Sequence, residues 1–198
     1  HLLSKGNFIM AKVNVNFKRI ARNSKSLKKT GDDIVLKKYE QSKENFFEEF
    51  QSHPVTQEIQ DGPTASNVSS TLNGVGNLFS FIGFDSSTSP IEDLEKLLKK
   101  KFSVKVTRKD ETVRYTIDFP TLDKIKSSTP MPFERGNSWV VGIEKGISGF
   151  SNYLYKVFVQ GRSKEALQAE NKIRGSGYKK TRYLSEIINN FIKNMKDL

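Results

Sequence analysis

The sequence predicts an α+β chain: a small antiparallel sheet of hairpins packed by two or three helices, with a long loop and a basic N-terminal arm. Three observations predict it. Between residues 102 and 119, apolar residues alternate with polar ones on both sides of a charged link, which is the pattern of a hairpin with one buried face. Two segments, 31–53 and 181–196, place apolar residues at three- and four-residue steps, the period of a helix with one covered face. Residues 12–30 are dense in lysine and arginine and poor in apolar residues. The expected organisation is therefore an arm over 1–30 and one α+β domain over 31–198. That domain carries a long loop at 55–89 and a C-terminal helix at 181–196.

In chain order, Met10-Ala11 reads as a start, with His1 to Ile9 upstream and too broken by Ser4, Lys5, Gly6 and Asn7 for a signal peptide. The arm holds Lys12, Lys18, Arg19, Arg22, Lys25, Lys28 and Lys29, and within it Val13, Val15 and Phe17 alternate as a short strand would. Asp32 and Asp33 suit the positive end of a helix dipole, and Leu36, Tyr39, Phe46, Phe47 and Phe50 form the stripe of the first helix. That helix stops near His53, because Pro54 disfavours helical geometry in the residue before it, and His53 is expected to cap or turn. Ser89-Pro90-Ile91-Glu92 opens the next helix, with Leu94, Leu97 and Leu98 inward and Lys99 to Lys101 at its negative end. The hairpin follows, linked through Arg108 to Glu111. Beyond Pro130 and Pro132, residues 138–145 and 151–159 read as a second strand pair, although a helix from Trp139 to Ile147 fits as well. A short helix is expected over Ser163 to Arg174, and the last helix shows Tyr183, Leu184, Ile187, Ile188, Phe191, Ile192 and Met195 on one face.

Composition narrows the functional classes. The 198 residues include no cysteine, which excludes disulfides, thiolate metal sites and cysteine catalysis. A net charge of +11 favours acidic partners: nucleic acid, an anionic membrane or acidic protein faces. No apolar run approaches the ~20 residues of a membrane span. Apolar residues are only 35% of the chain, so the core is modest, and fourteen phenylalanines suit cores and docking surfaces alike.

Catalytic and metal-binding patterns are not found. His1 and His53 cannot make a histidine-rich site, and no EF-hand or D-x-D spacing is present. Gly74-Val75-Gly76 is followed by Phe79 where a dinucleotide loop needs a third glycine. Glu170-Asn171-Lys172 matches half of a nuclease pattern and lies on an expected helix. Asn67-Val68-Ser69 matches a glycosylation acceptor by letter alone. The expectation is a protein without catalysis, metal or cofactor. The sharper features are the apolar stretch Leu78, Phe79, Phe81, Ile82 and Phe84, with Trp139 further on, and the basic arm. The stretch reads either as part of the core or as a projecting tip that docks on another protein. The arm, and Lys179, Lys180 and Arg182, read as solvated faces, contacts to acidic protein or phosphate contacts.

Several segments together resemble the neck or tail-completion proteins of tailed bacteriophages, which join head to tail. The residues are His53-Pro54-Val55-Thr56-Gln57-Glu58-Ile59, Thr71-Leu72-Asn73-Gly74-Val75-Gly76-Asn77-Leu78, Pro130-Met131-Pro132-Phe133, Ser138-Trp139-Val140 and Tyr183-Leu184-Ser185-Glu186-Ile187-Ile188. The chain departs from that pattern in its longer loop after the first helix and its longer C-terminal helix. The resemblance implies a non-enzymatic virion subunit assembled in the host cytoplasm. It implies a ring built from other copies of the chain, neighbouring neck or tail proteins as partners, contact with DNA as an open option, and no membrane.

Overall fold

A computed structural model of the chain describes residues 13–18, 25–72, 76–109, 112–132, 136–146 and 180–196. They form strand β1 (Val13–Lys18), helices α1 (Lys25–Ser52), α2 (Pro54–Gln60), α3 (Leu78–Ile82) and α4 (Pro90–Lys101), and strands β2 (Ser103–Lys109) and β3 (Thr112–Asp118). Helices α5 (Leu122–Ser128), α6 (Trp139–Lys145) and α7 (Leu184–Lys196) follow. The broad class is α+β, dominated by helix. The chain divides into two compact units: residues 1–51, 96–122 and 185–198 in the first, 52–95 and 123–184 in the second.

The sheet of the first unit is antiparallel in the order β1-β3-β2. The hairpin β2–β3 lies where the alternation places it, with Val104 opposite Ile117 and Val106 opposite Tyr115. Strand β1 joins the other edge of β3, pairing Val13 with Ile117 and Phe17 with Val113. The segment read as an arm therefore supplies a strand to the sheet, and α1 begins at Lys25, inside that segment, rather than at Gly31. Of the basic arm residues, Lys18 ends β1 and Lys25, Lys28 and Lys29 lie in the first turns of α1. Lys12, Arg19 and Arg22 lie outside the described residues.

Helix α1 buries Val35, Tyr39, Ser42, Phe46 and Phe50, steps of three and four that keep one face inward. Leu36, read as the start of that stripe, is exposed, because Val35 occupies the position in register with Tyr39 and Phe46. The core of the first unit is aromatic. The Phe102 ring lies 4.8 Å from Phe119, 4.9 Å from Phe191 and 5.1 Å from Phe46. The Phe119 and Phe191 rings meet edge to face at 5.2 Å, a geometry that aligns ring edges with ring faces.

In the second unit, the span read as a long loop contains α2, a 3-10 turn over Gly62–Thr64, and α3. Helix α5 was not foreseen, because its seven residues hold one buried apolar side chain, Ile125, and show no periodic stripe. The strand expected over 138–145 is helix α6. Val140 and Val141 favour strand locally, yet Ser138 caps a helix there and tertiary packing overrides the propensity. Its expected partner over 151–159 and the helix expected over 163–174 lie outside the described residues. Helix α4 starts at Pro90 as expected, with Glu92 and Asp93 in its first turn and Lys99 to Lys101 in its last. Helix α7 starts three residues later than read, at Leu184.

Candidate functional site

The apolar stretch proposed for docking belongs to the second unit, and its local structure follows from two residues that punctuate it. Asn77 is extended (φ −129°, ψ 159°), and its side-chain oxygen accepts from the Ser80 N–H at 2.9 Å, capping α3. Its amide nitrogen donates to the carbonyls of Pro63 (2.7 Å) and Ala65 (3.2 Å), tying the helix start to the 3-10 turn. Gly83 ends the helix at φ +83°, a conformation that glycine adopts without steric cost, and the N–H groups of Gly83 and Phe84 both return to the Phe79 carbonyl.

Within that frame Leu78, Phe79, Ile82 and Trp139 are buried, and Phe81 and Phe84 are half-buried. The stretch is thus a short helix packed into its own unit rather than a projecting tip. The core alternative is the one its burial matches. The physical reason is the cap at Asn77, which turns a glycine-flanked apolar run into a helix with an inward face. A run of rings extends from it: Phe79 to Phe84 at 5.5 Å, Phe84 to Trp139 edge-on at 5.8 Å, Trp139 to Tyr183 at 6.5 Å, and Tyr183 to His53 at 4.9 Å.

Around these rings lies a set of buried polar groups. Glu58, wholly buried on α2, accepts from the Leu78 N–H at 2.7 Å and the Ser69 N–H at 2.9 Å. A buried carboxylate is costly unless its oxygens are hydrogen-bonded, and here each oxygen meets a backbone donor. Between those two anchors Ser70 takes φ +54°, and the Thr71 hydroxyl lies 3.1 Å from that of Thr181. Thr56 meets the Tyr183 hydroxyl at 2.7 Å, and burial pushes the tyrosine hydroxyl well above its ordinary value, with Glu144 adding to the shift. Tyr183 is neutral at any physiological pH. Its backbone N–H donates to the Glu144 carboxylate at 3.1 Å. His53 caps α2 as expected, its Nδ1 accepting from the Val55 N–H at 3.2 Å.

A hydroxyl chain orders α5 and α6. The Val141 N–H donates to Ser138 Oγ (3.3 Å), Ser138 and Thr129 share a hydrogen bond (2.6 Å), and Thr129 donates to the Ile125 carbonyl (2.7 Å). Because the Thr129 hydrogen is committed to Ile125, Ser138 is the donor between the two hydroxyls. Sequence reasoning singled out the segments that hold Glu58, Asn77 and Ser138 but assigned those residues no role, and it placed Tyr183 on the apolar face of the last helix, which begins one residue later. The available signal was Asn77 and Ser138, each a capping residue type directly before an apolar run. Nothing in the sequence pairs Glu58 with an amide twenty residues away.

The described residues hold no cluster of three or more metal-ligating side chains, and no described helix is long and apolar enough to cross a membrane. Set against known protein families, curated proteins and solved structures, the chain matches none.

Proposed function

We propose that this chain is a structural subunit of a tailed-bacteriophage virion, a ring-forming neck, tail-completion or tail-terminator protein that joins head and tail without catalysis. One observation carries the proposal. Of the segments on which the resemblance rests, Tyr183–Ile188 passes into the first unit at Ser185, and the described residues of His53–Ile59, Thr71–Leu78, Pro130–Phe133 and Ser138–Val140, with Tyr183 and Leu184, fall in the second. There they supply its caps and buried polar partners: His53, Glu58, Asn77, Ser138 and Tyr183. Their chemistry holds backbone in place, which suits a scaffold whose work is to present surfaces to neighbouring chains. The helical run at residue 80 takes part in this as core, so docking falls to other surfaces of the molecule.

Light scattering on the purified chain over a range of concentrations tests the reading. Assemblies larger than a dimer are expected, with subunit number constant at the plateau. A strict monomer at every concentration, alone and with neck or tail proteins from the same particle, would defeat it. The rival reading, a basic nucleic-acid-binding module, is favoured by a different surface, described next.

A further inference from the structure

We infer that the open face of the three-stranded sheet is a binding surface for the phosphate backbone of duplex DNA. Successive residues of a strand point to opposite faces. In β2 and β3 one set is Val104, Val106, Val113, Tyr115 and Ile117, with Tyr115 and Ile117 buried and the valines half-buried. Arg108 belongs to the same set and reaches the Asp32 carboxylate of α1, as does the Tyr115 hydroxyl, so this face is turned to the body of the first unit.

The other set contains no apolar residue. Ser103, Lys105, Thr107 and Arg114 are exposed, and Thr116 and Asp118 are half-exposed. Arg114 stands opposite Thr107 on one side and Asn16 on the other, and Thr116 stands opposite Lys105 and Asn14. Thr112 is flanked by Lys109 and Lys18 at the matching register positions. Among the residues of this set whose side chains are described, two cations, Lys105 and Arg114, and three hydroxyl residues, Ser103, Thr107 and Thr116, therefore share one surface with a single acid, Asp118, which pairs with Lys105 at 2.9 Å at one end. Lysine and arginine supply charge, and serine and threonine supply neutral donors that phosphate oxygens also accept.

The charge is placed rather than spread. Among described residues the first unit holds seventeen lysines and arginines against eight acids, the second five against eight. The surplus lies in the unit that carries this face. The set contains no aromatic residue, so it has no platform for stacking unpaired bases, which favours the duplex over a single strand. The inference does not depend on the virion reading.

The test is fluorescence anisotropy of the full chain with a labelled duplex, titrated at salt from about 50 to about 200 mM. Binding independent of base sequence is expected, with affinity falling steeply as salt rises. The double variant Lys105→Gln with Arg114→Glu should weaken binding about tenfold and lower the salt slope by about two. Its control, Lys126→Gln with Lys145→Glu, makes the same change of net charge on the second unit and should stay within about twofold of the parent, as phosphate contacts are local. Equal losses in the two variants would show that only bulk charge matters, and overturn the inference. So would unchanged binding by the first variant, no binding at the lowest salt, tighter binding of single strands than of duplex, or equal affinity for a polyglutamate chain. If the double variant fails to fold by circular dichroism, Arg114→Gln alone carries the test, with about a threefold loss expected and no loss overturning the claim.

Discussion

The two units of this chain are held by different physics. In the first, five aromatic rings from α1, α7 and the segment that follows the hairpin converge on Phe102, and the contacts are ring on ring. In the second, apolar packing shares the work with buried polar groups that each satisfy a named backbone or hydroxyl partner: Glu58, Asn77, Thr56, Thr71, Thr129 and Ser138. The difference teaches where each unit is vulnerable. An aromatic cluster loses stability in proportion to volume removed, because neighbours relax only partly into the gap. A polar network fails at single atoms, because a buried donor that loses its acceptor bears the desolvation cost alone.

The largest effect should break the first side of that comparison. Phe102→Ala is expected to cost about 3–5 kcal/mol, read as a fall in the urea midpoint and lost amide protection in β3 and α7. Phe102→Leu should cost clearly less. A loss under about 1 kcal/mol for the alanine variant would mean that the ring is not the hub that its contacts suggest.

Glu58→Ala should come next, at about 2–4 kcal/mol, since it leaves two amides without an acceptor. Hydrogen exchange should quicken at Leu78 and Ser69 specifically. Glu58→Gln retains a single acceptor oxygen and should fall between the alanine variant and the parent. Equal exchange at both amides in parent and variants would remove the polar network from the comparison.

Asn77→Ala should cost about 1 kcal/mol, the usual size of a lost N-cap, with faster exchange at Ser80. His53→Ala acts in the same way on α2 and should stay at or below that value, with Val55 as the reporter amide.

The smallest expected effect is in the first unit, and depends on pH. The hydrogen bond from Tyr115, then that from Arg108 with its charge, hold the Asp32 carboxyl below its ordinary value. A depressed carboxyl contributes stability that is present above the unfolded pKa, near 4, and is lost as pH falls through the folded value. Arg108 is more than half exposed, so screening keeps the contribution to about 0.5–1 kcal/mol. Asp32→Asn should lower the melting temperature slightly at pH 7 and flatten its decline below pH 4. A variant that retains the parent's acid slope would show that other carboxyls set it.

Legibility in the sequence followed the range of the interactions. The hairpin was readable because alternation is local: Val104, Val106, Tyr115 and Ile117 carry their own period. The start of α4 was readable from Pro90 and its first-turn acids, and the break at His53 from the proline that follows it. Helix α3 was not read as a helix, since five residues between glycines are too short to show a period and its stability comes from its caps. Helix α6 stayed ambiguous because its valines and its serine cap argue for different structures. Of the residues proposed for docking, the sequence showed their apolar character but not their direction, and four of the six are buried.

What the sequence determined alone is whatever a period, a cap or a proline can express within one or two turns of chain: the hairpin, the long helices, the break after α1 and the surplus of positive charge. Tertiary structure decided which apolar run faces inward, that β1 joins β3 across more than ninety intervening residues, that Glu58 holds the amides of Ser69 and Leu78, and that the cations at alternate sheet positions share one face. The reason is that a side chain's partners are set by distance in space, and no local pattern encodes which distant backbone will supply the missing donor.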